Sequence, residues 1–374
     1  MRVLMISRAC LIGAYQSKLE ELARHPDIDL MVVVPPTWRT GPDIAHLQRT
    51  YTRGYSLVTE RLVFNGSFHL HLYPRLRRRL RTFSPDIVHI DEEPYNLATF
   101  QAMRLARDYG SRVLWFSWQN LKRQYPPPFS WIERYNLVHA DYAIVGSQDA
   151  ATVWRTKGYS GPLSVIPQFG VTSEVYCPRP DRPANSRRFV IGYAGRLVPE
   201  KGVDLLIEAV AGLRGPWQLL VVGNGPERLN LEQLAYELGV HDRVRFQSHV
   251  SSTHMPEIYR ELDVLVLPSR SRSNWIEQFG RVLIEAMASG VTVVGSSCGE
   301  IPNVIGDAGL IFPEGDVQSL RDCLDRLITA PHLLSELGRR GRARVLAEFT
   351  QAKIAARTRE VYIDMLERPP QSLY

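Results

Sequence analysis

Short apolar runs alternate with amphipathic stretches along the whole chain. In the first half, the runs of strand length are "RVLMIS", "DLMVVVPP", "DIVHID", "RVLWFSW" and "YAIVGS". Between several of them lie segments whose apolar residues recur at helical spacing, such as "SKLEELARH" and "NLATFQAMRLARDYG". The second half repeats the theme with "RFVIGYAG", "WQLLVVGNG", "RVRFQSHV", "DVLVLPS", "VTVVGSS" and "GLIFP". Its helical segments include "GVDLLIEAVAGL", "PERLNLEQLAYELGV", "MPEIYREL" and "VQSLRDCLDRLITA". This alternation predicts an α/β fold: two doubly wound, Rossmann-like domains in tandem, each a parallel sheet with helices on both faces. The expected first domain is residues 1–170 and the second is residues 188–350. The expected linker, 171–187, falls where Pro178, Pro180 and Pro183 break both patterns. Beyond residue 331 only helical signal remains, and the segment 351–374 is expected to pack back on the first domain as a last helix.

Open parallel sheets bind ligands outside the carboxyl ends of their strands, and two facing domains would put that crevice between them. Three strand ends of the second half carry complementary chemistry. In "GYAGRLVPEKGVDLLIEA", Gly195 permits a tight turn, Arg196 and Lys201 follow, and Gly202 precedes a helix. Two fixed cations beside a helix start suit a diphosphate, because the helix amides and both side chains favour the same negative charge. The plainer reading is two surface cations in a loop, and the strand–Gly–Arg–Lys–Gly–helix context favours the first. In "LVVGNGPERLNLEQL", Gly223 and Gly225 would let backbone approach a ligand such as a flat nucleobase. That glycine pattern lacks the third glycine of the full dinucleotide fingerprint, and an ordinary turn explains it equally well.

The third segment, "RSNWIEQFGRVLIEAMASG", holds Glu277 and Glu285 on either side of Phe279 and Gly280. Gly280 gives a helix start without a side chain, whose amides can point at phosphate oxygens. A carboxylate repels that phosphate but accepts hydrogen bonds from neutral hydroxyls beside it. One glutamate can therefore grip a sugar and the other a ribose diol, with a diphosphate between them.

Composition narrows the class. A chain of 374 residues suggests two domains, and 44% hydrophobic with 22% charged residues is ordinary for a soluble protein. No apolar run is long enough to span a bilayer, and "MRVLMISRAC" reads as a first strand rather than a signal peptide. Cys10, Cys177, Cys298 and Cys323 are far apart, which argues against a zinc site or disulfide framework and fits a reducing cytoplasm. Residues 1–185 carry 23 Lys and Arg against 16 Asp and Glu, whereas residues 186–374 carry 22 against 23. Most of the excess sits in "YPRLRRRLRTFSP", with Arg75, Arg77, Arg78, Arg79 and Arg81. A solvated helix face explains it, as does peripheral contact with an anionic membrane or a lipid-linked substrate. Nucleic acid is disfavoured, because no recognition motif accompanies the arginines.

"GRLVPEKG" together with "EQFGRVLIEAMASG" resembles the paired signature of retaining glycosyltransferases of family 4, which share the two-domain GT-B fold. The likeness runs over most of residues 190–315, including "CGEIPNVI"; the first domain resembles the family through its strand order and "PDIVHIDEE". The resemblance implies transfer of a sugar, typically a hexosyl group, from a nucleoside diphosphate sugar to an acceptor hydroxyl. The acceptor would be a glycan, a lipid-linked or a small-molecule glycoside. The donor is a substrate, so no cofactor is implied. Arg196 and Lys201 would bind the diphosphate, and Glu277 would hold the transferred sugar. Glu285 would hold the ribose, and Phe279, Gly280 and Arg281 would offer amides. Gly195, Asn224, Gly225, Val250 and Val282 would lie against the donor. Gly13, in "CLIGAYQSK", matches where the family brings backbone near the phosphates, although the usual double glycine is absent.

Many relatives place a His after the strand corresponding to "RVLWFSW". Here "FSWQN" puts Gln119 there, able to touch a sugar hydroxyl but unable to titrate. Front-side displacement accommodates this, since the leaving phosphate itself can deprotonate the acceptor. His89 and the acidic run Asp91, Glu92 and Glu93 lie at another strand end and could contact the acceptor; a packing role explains His89 as well. No D-x-D pattern sits at a suitable strand end, so a bound metal is not implied. Two other enzyme classes compete. A glycosidase using Glu277 and Glu285 as an acid and nucleophile has no use for Arg196 and Lys201. An epimerase or hydrolase on the same fold fits the nucleotide chemistry, but the spacing of the two glutamates favours transfer.

Overall fold

The structure is a computed structural model, and it describes residues 1–178, 188–248, 250–251 and 253–369. The chain divides into two compact units: Met1–Gly170 with Gln351–Tyr374, and Val171–Thr350. The segment 171–178 expected in the linker is thus part of the second unit. Val171 bridges to Thr350, and Arg260 Nε donates to the Cys177 carbonyl at 3.1 Å. The rest of that linker, 179–187, lies outside the described residues, as does 370–374, the end of the segment expected as a last helix.

The first unit is built on a seven-stranded parallel sheet. Its strands lie in the order Ser56–Thr59, Asp29–Val34, Arg2–Ile6, Ile87–Ile90, Arg112–Ser117, Tyr142–Val145 and Leu163–Val165. Both faces are covered. Leu4 and Ile6 enter one apolar cluster with Trp115 and Trp154, while Val3 and Met5 enter another with Leu19, Leu22 and Tyr362. Burial on both faces is why these strands read as continuous apolar runs. An antiparallel pair, Thr37–Thr40 with Asp43–His46, lies outside this sheet. Its largely exposed sequence, "TWRT" and "DIAH", carries no apolar run to announce it.

The second unit has a six-stranded parallel sheet in the order Val244–Gln247, Trp217–Val222, Phe189–Ala194, Val264–Leu267, Thr292–Ser296 and Leu310–Phe312. In chain order this is the 3-2-1-4-5-6 arrangement of a dinucleotide-binding sheet. Its switch point is where Phe189–Ala194 pairs with Val264–Leu267. The loops there are pressed together. Gly202 has φ +65°, and a Cβ on it would lie 2.1 Å from the Pro268 carbonyl oxygen. A Cβ on Gly223 would lie 1.8 Å from the Gly195 oxygen, and one on Gly225 2.1 Å from that of Leu197. Gly223 and Gly225 therefore let one loop close on another, the plainer of the two readings their sequence allows, and Gly223 also lines a cavity at these strand ends.

The helix Gln351–Glu367 packs on Ser17–Ala23 within the first unit. Arg359 Nε donates to Asp27 at 2.9 Å, Arg357 reaches the Val165 carbonyl, and the Tyr362 hydroxyl lies 2.7 Å from His89 Nδ1. His89 is thus a packing residue beneath that helix, the plainer of the two readings its sequence allowed, rather than an acceptor contact. The basic stretch forms the helix Leu76–Phe83, with Leu76 and Leu80 buried in the first unit's own core. Arg77, Arg78 and Arg81 are exposed, while Arg79 pairs with Glu60 at 2.5 Å. Among the described residues, no helix is long and apolar enough to cross a membrane.

Burial holds the His89 imidazole down at about 3, so it stays neutral in the folded protein. The unfolded chain takes up that proton below about pH 6.5, so stability is full above that pH and falls as pH drops toward 3. This group alone should cost ~2 kcal/mol between pH 7 and pH 5. Urea unfolding of His89→Gln at both pH values should show that part of the loss removed; an undiminished loss would contradict it. A paired glycine substitution probes the switch point. Gly215 has φ +82° with nothing near its missing Cβ, so Gly215→Ala should cost about 1–2 kcal/mol of backbone strain. Gly202→Ala adds a clash with Pro268 to similar strain and should cost clearly more; equal unfolding midpoints would remove the close-approach argument.

Candidate active site

The residues expected at the donor collect at the switch point of the second unit. After the strand Phe189–Ala194, the Tyr193 hydroxyl donates to the Arg196 carbonyl at 2.8 Å and fixes the turn. Arg196 itself is exposed. A 3-10 turn, Pro199–Lys201, then leads through Gly202 into the helix Val203–Ala211. After the partner strand Val264–Leu267 come Ser269, Trp275 and Glu277. Glu277 is buried and accepts from Lys201 Nζ at 2.6 Å and from Ser269 Oγ at 2.8 Å, both on Oε2. The Lys201 ammonium also stands 4.9 Å from the Trp275 ring centroid. The backbone of Glu277 is tied in turn by its carbonyl, which accepts from the Glu300 amide at 3.2 Å.

Lys201 and Glu277, read in the sequence as serving different parts of a donor, here serve each other. In this state the charges of Lys201 and Glu277 compensate each other.

A cavity of about 660 Å³ lies at the same sheet edge, lined by Gly195, Arg196, Asn224, Val250, Val282 and Glu285 among others. Glu285 projects from the helix Arg281–Ala288, which starts at Gly280 with φ +77°. The Tyr259 hydroxyl donates to Glu285 Oε2 at 2.8 Å, and Arg281 Nε lies 2.8 Å from Oε1. Burial, and then the Glu285 charge, push the Tyr259 hydroxyl far above its ordinary range, so it remains a donor. Glu285 is thereby aimed into a mostly apolar space with both oxygens oriented. Val250, Met255 and Val282 supply apolar wall. Phe279 is turned inward, its ring 5.8 Å from that of Phe349.

Ser269, which bonds Glu277, and Tyr259 and Met255, which line the cavity, escaped the sequence reading. Ser269 had a signal, since it ends the run "DVLVLPS" at a strand terminus. Tyr259 and Met255 lie in a short helix whose spacing reads as plain core, and only the fold brings them to Glu285.

In the first unit, the Gly13 amide donates to Gln48 Oε1 at 2.8 Å, and a Cβ there would lie 2.1 Å from Thr50 Oγ1. That amide is covered by its own unit and is not presented to a phosphate as expected. Gln119 Nε2 donates to the Leu121 carbonyl at 2.9 Å, leaving its buried Oε1 without a partner among the described residues. Glu92 is buried at the end of Ile87–Ile90, beside Arg8 and His71. Among the described residues, no group of three or more His, Cys, Asp or Glu is placed to hold a metal ion.

Comparison with known proteins covers both units. The family described as glycosyl transferases group 1 matches residues 179–344, and the glycosyl transferase 4-like domain matches residues 12–168. The MMP alpha-(1->4)-mannosyltransferase of Mycolicibacterium hassiacum is 35% identical over 216 residues, 55% of this chain and 49% of that protein. The GDP-mannose-dependent alpha-(1-6)-phosphatidylinositol monomannoside mannosyltransferase of Mycolicibacterium smegmatis is 31% identical over 54% of this chain and 57% of that protein. The chain thus spans about half the length of these curated relatives. Among solved structures, Anabaena HepE in complex with UDP superposes with a TM-score of 0.76 at 18% identity, covering 97% of this chain and all of that one. Sucrose-phosphate synthase from Thermosynechococcus elongatus gives 0.73 at 21% identity, covering 98% of this chain and 99% of that one. At such identities these two likenesses establish the fold, GT-B, while the two matched domains together account for nearly the whole sequence. The chain belongs to the group 1 glycosyltransferases of family 4.

Proposed function

We propose that the protein is a retaining glycosyltransferase that moves a hexosyl group from a nucleoside diphosphate sugar to an acceptor hydroxyl, without a bound metal. The observation that carries this reading is the meeting of Lys201, Glu277 and Ser269 at the switch point, next to a cavity into which Glu285 projects. The diphosphate would take Lys201 from Glu277 and lie against Arg196 and the amides that start the helix Arg281–Ala288. Glu277 would then accept from hydroxyls of the sugar, and Glu285 from those of the ribose. As the glycosidic bond breaks, negative charge grows on the diphosphate, where Arg196, Lys201 and the helix start already point. Electrostatic stabilisation of that leaving group would supply most of the acceleration. The departing phosphate oxygen would take the acceptor's proton on the same face, which retains the anomeric configuration and needs no histidine where Gln119 stands. Two relatives are named mannosyltransferases, which supports a hexosyl group.

The exposed Arg77, Arg78 and Arg81 would give the first unit an electrostatic contact with an anionic membrane. Because Leu76 and Leu80 face the protein's own core, that contact would depend on charge and weaken with salt.

Release of nucleoside diphosphate from UDP-, GDP- and ADP-hexoses tests the main reading. Lys201→Ala should lower turnover about 10²–10³-fold with the far-ultraviolet spectrum unchanged, and unaltered turnover would remove the diphosphate assignment. Transfer should persist in excess EDTA; complete loss would overturn metal independence. Replacing Arg77, Arg78 and Arg81 by Ser should reduce co-sedimentation with phosphatidylserine-containing vesicles at low salt. Equal sedimentation would leave these arginines as a solvated face only.

A further inference from the structure

The chain enters the second unit at Val171 and leaves it at Thr350, and these two residues pair in a parallel bridge. The entering segment, 171–178, is held along its length by its own unit. The Val171 amide donates to the Phe349 carbonyl at 2.9 Å. Arg260, from the helix Met255–Glu261, donates to the Val175 carbonyl at 3.3 Å, to the Cys177 carbonyl at 3.1 Å and to the Cys177 sulfur at 3.0 Å. Arg342, from the helix Pro331–Glu348, donates to the Tyr176 carbonyl at 3.3 Å. The same guanidinium nitrogen donates to the carbonyl of Ala288, the last residue of the helix that carries Glu285. With its backbone clamped on both sides, Tyr176 has little choice of direction for its side chain.

That side chain is buried, and its ring centroid lies 6.1 Å from that of Tyr259. Its hydroxyl is hydrogen-bonded to the Glu285 carboxylate, to which it donates, and to the Arg281 guanidinium, from which it accepts. Burial, and then the Glu285 charge, push the hydroxyl above its ordinary range, so it stays protonated and remains a donor. Glu285 therefore has three neighbours: the Tyr259 hydroxyl on Oε2 at 2.8 Å, Arg281 Nε 2.8 Å from Oε1, and the Tyr176 hydroxyl. A carboxylate accepts about four hydrogen bonds, so three fixed neighbours decide which of its lone pairs are left for the cavity. A phenylalanine at 176 would fill the same space against Tyr259. What the hydroxyl adds is a hold on the carboxylate, delivered from a segment that reads in the sequence only as linker.

We propose that Tyr176 is a positioning residue for the donor: with Tyr259 it sets the Glu285 carboxylate for the ribose hydroxyls of a nucleoside diphosphate, which makes the entering segment 171–178 part of the donor site. The assignment rests on the transferase reading above. Tyr176 does not line the cavity and acts only through Glu285. Loss of its hydroxyl leaves Tyr259 and Arg281 in place, so the carboxylate keeps its charge and its surroundings but loses one of its restraints. The effect is then confined to ligands that carry ribose hydroxyls. The coupling also runs the other way. A ribose gripped by Glu285 restrains Tyr176, and through it the turn in which the Val175 and Tyr176 amides both donate to the Thr172 carbonyl at 3.0 Å.

Calorimetric titration of the full chain with UDP, GDP and ADP, and with their dideoxy forms that lack both ribose hydroxyls, tests this. Whichever nucleotide binds the unaltered protein should bind Tyr176→Phe about three- to tenfold more weakly, whereas its dideoxy form should bind both proteins alike. In the unaltered protein, that nucleotide should slow hydrogen exchange of the amides of 171–178 and its dideoxy form should not, a measurement that depends on no variant. Equal affinity of the nucleotide for both proteins would overturn the proposal. So would an equal loss for the dideoxy form, which is what a merely structural role gives, or exchange of 171–178 that the nucleotide leaves unchanged. If none of the three nucleotides binds the unaltered protein, the donor reading fails and takes this assignment with it. Nucleotide binding that Tyr176→Phe leaves untouched fails this assignment alone.

Discussion

The second unit's site turns on one ion pair, Lys201 with Glu277, steadied by Ser269. Their side chains are 19% and 9% exposed, so both charges have lost most of their water. A mostly buried pair stabilises a fold only weakly, because desolvation offsets most of the Coulomb gain. Removing one partner is far more costly than exchanging it. That asymmetry makes the pair a suitable resting state for a diphosphate site: Lys201 is kept out of bulk water, and a ligand that supplies both a phosphate for Lys201 and hydroxyls for Glu277 leaves neither charge stranded.

The surrounding structure holds this pair in place. Gly202 lets the turn carrying Lys201 pass against the Pro268 carbonyl, which brings the ends of two paired strands within one side-chain length. Glu285 is set independently, by Tyr259 on one oxygen and Arg281 on the other, so that the two glutamates of one short segment have separate partners.

Much of this was legible in the sequence because it depends on local patterns. Strands buried on both faces announce themselves as apolar runs; Arg196, Lys201 and Glu277 are readable because each follows a strand or opens a helix, and Glu285 because it sits eight positions from Glu277 inside an otherwise apolar helix. What escaped depends on long-range packing. Nothing near Gly13 in the chain says that Gln48 and Thr50 will cover it. The glycines of "VGNG" were readable as glycines with a purpose, but the loop-against-loop approach they permit shows only in the fold. Tyr259 and Glu285 lie 26 positions apart and meet only across helices.

The account stands most directly on calorimetric titration of nucleosides against their diphosphates, using uridine with UDP and guanosine with GDP. In Lys201→Gln, affinity for whichever diphosphate binds should fall at least tenfold while affinity for the matching nucleoside is unchanged; in Glu285→Gln both should fall. Diphosphate binding by Lys201→Gln as tight as by the unaltered protein would contradict the exchange of Glu277 for phosphate on which the rest is built.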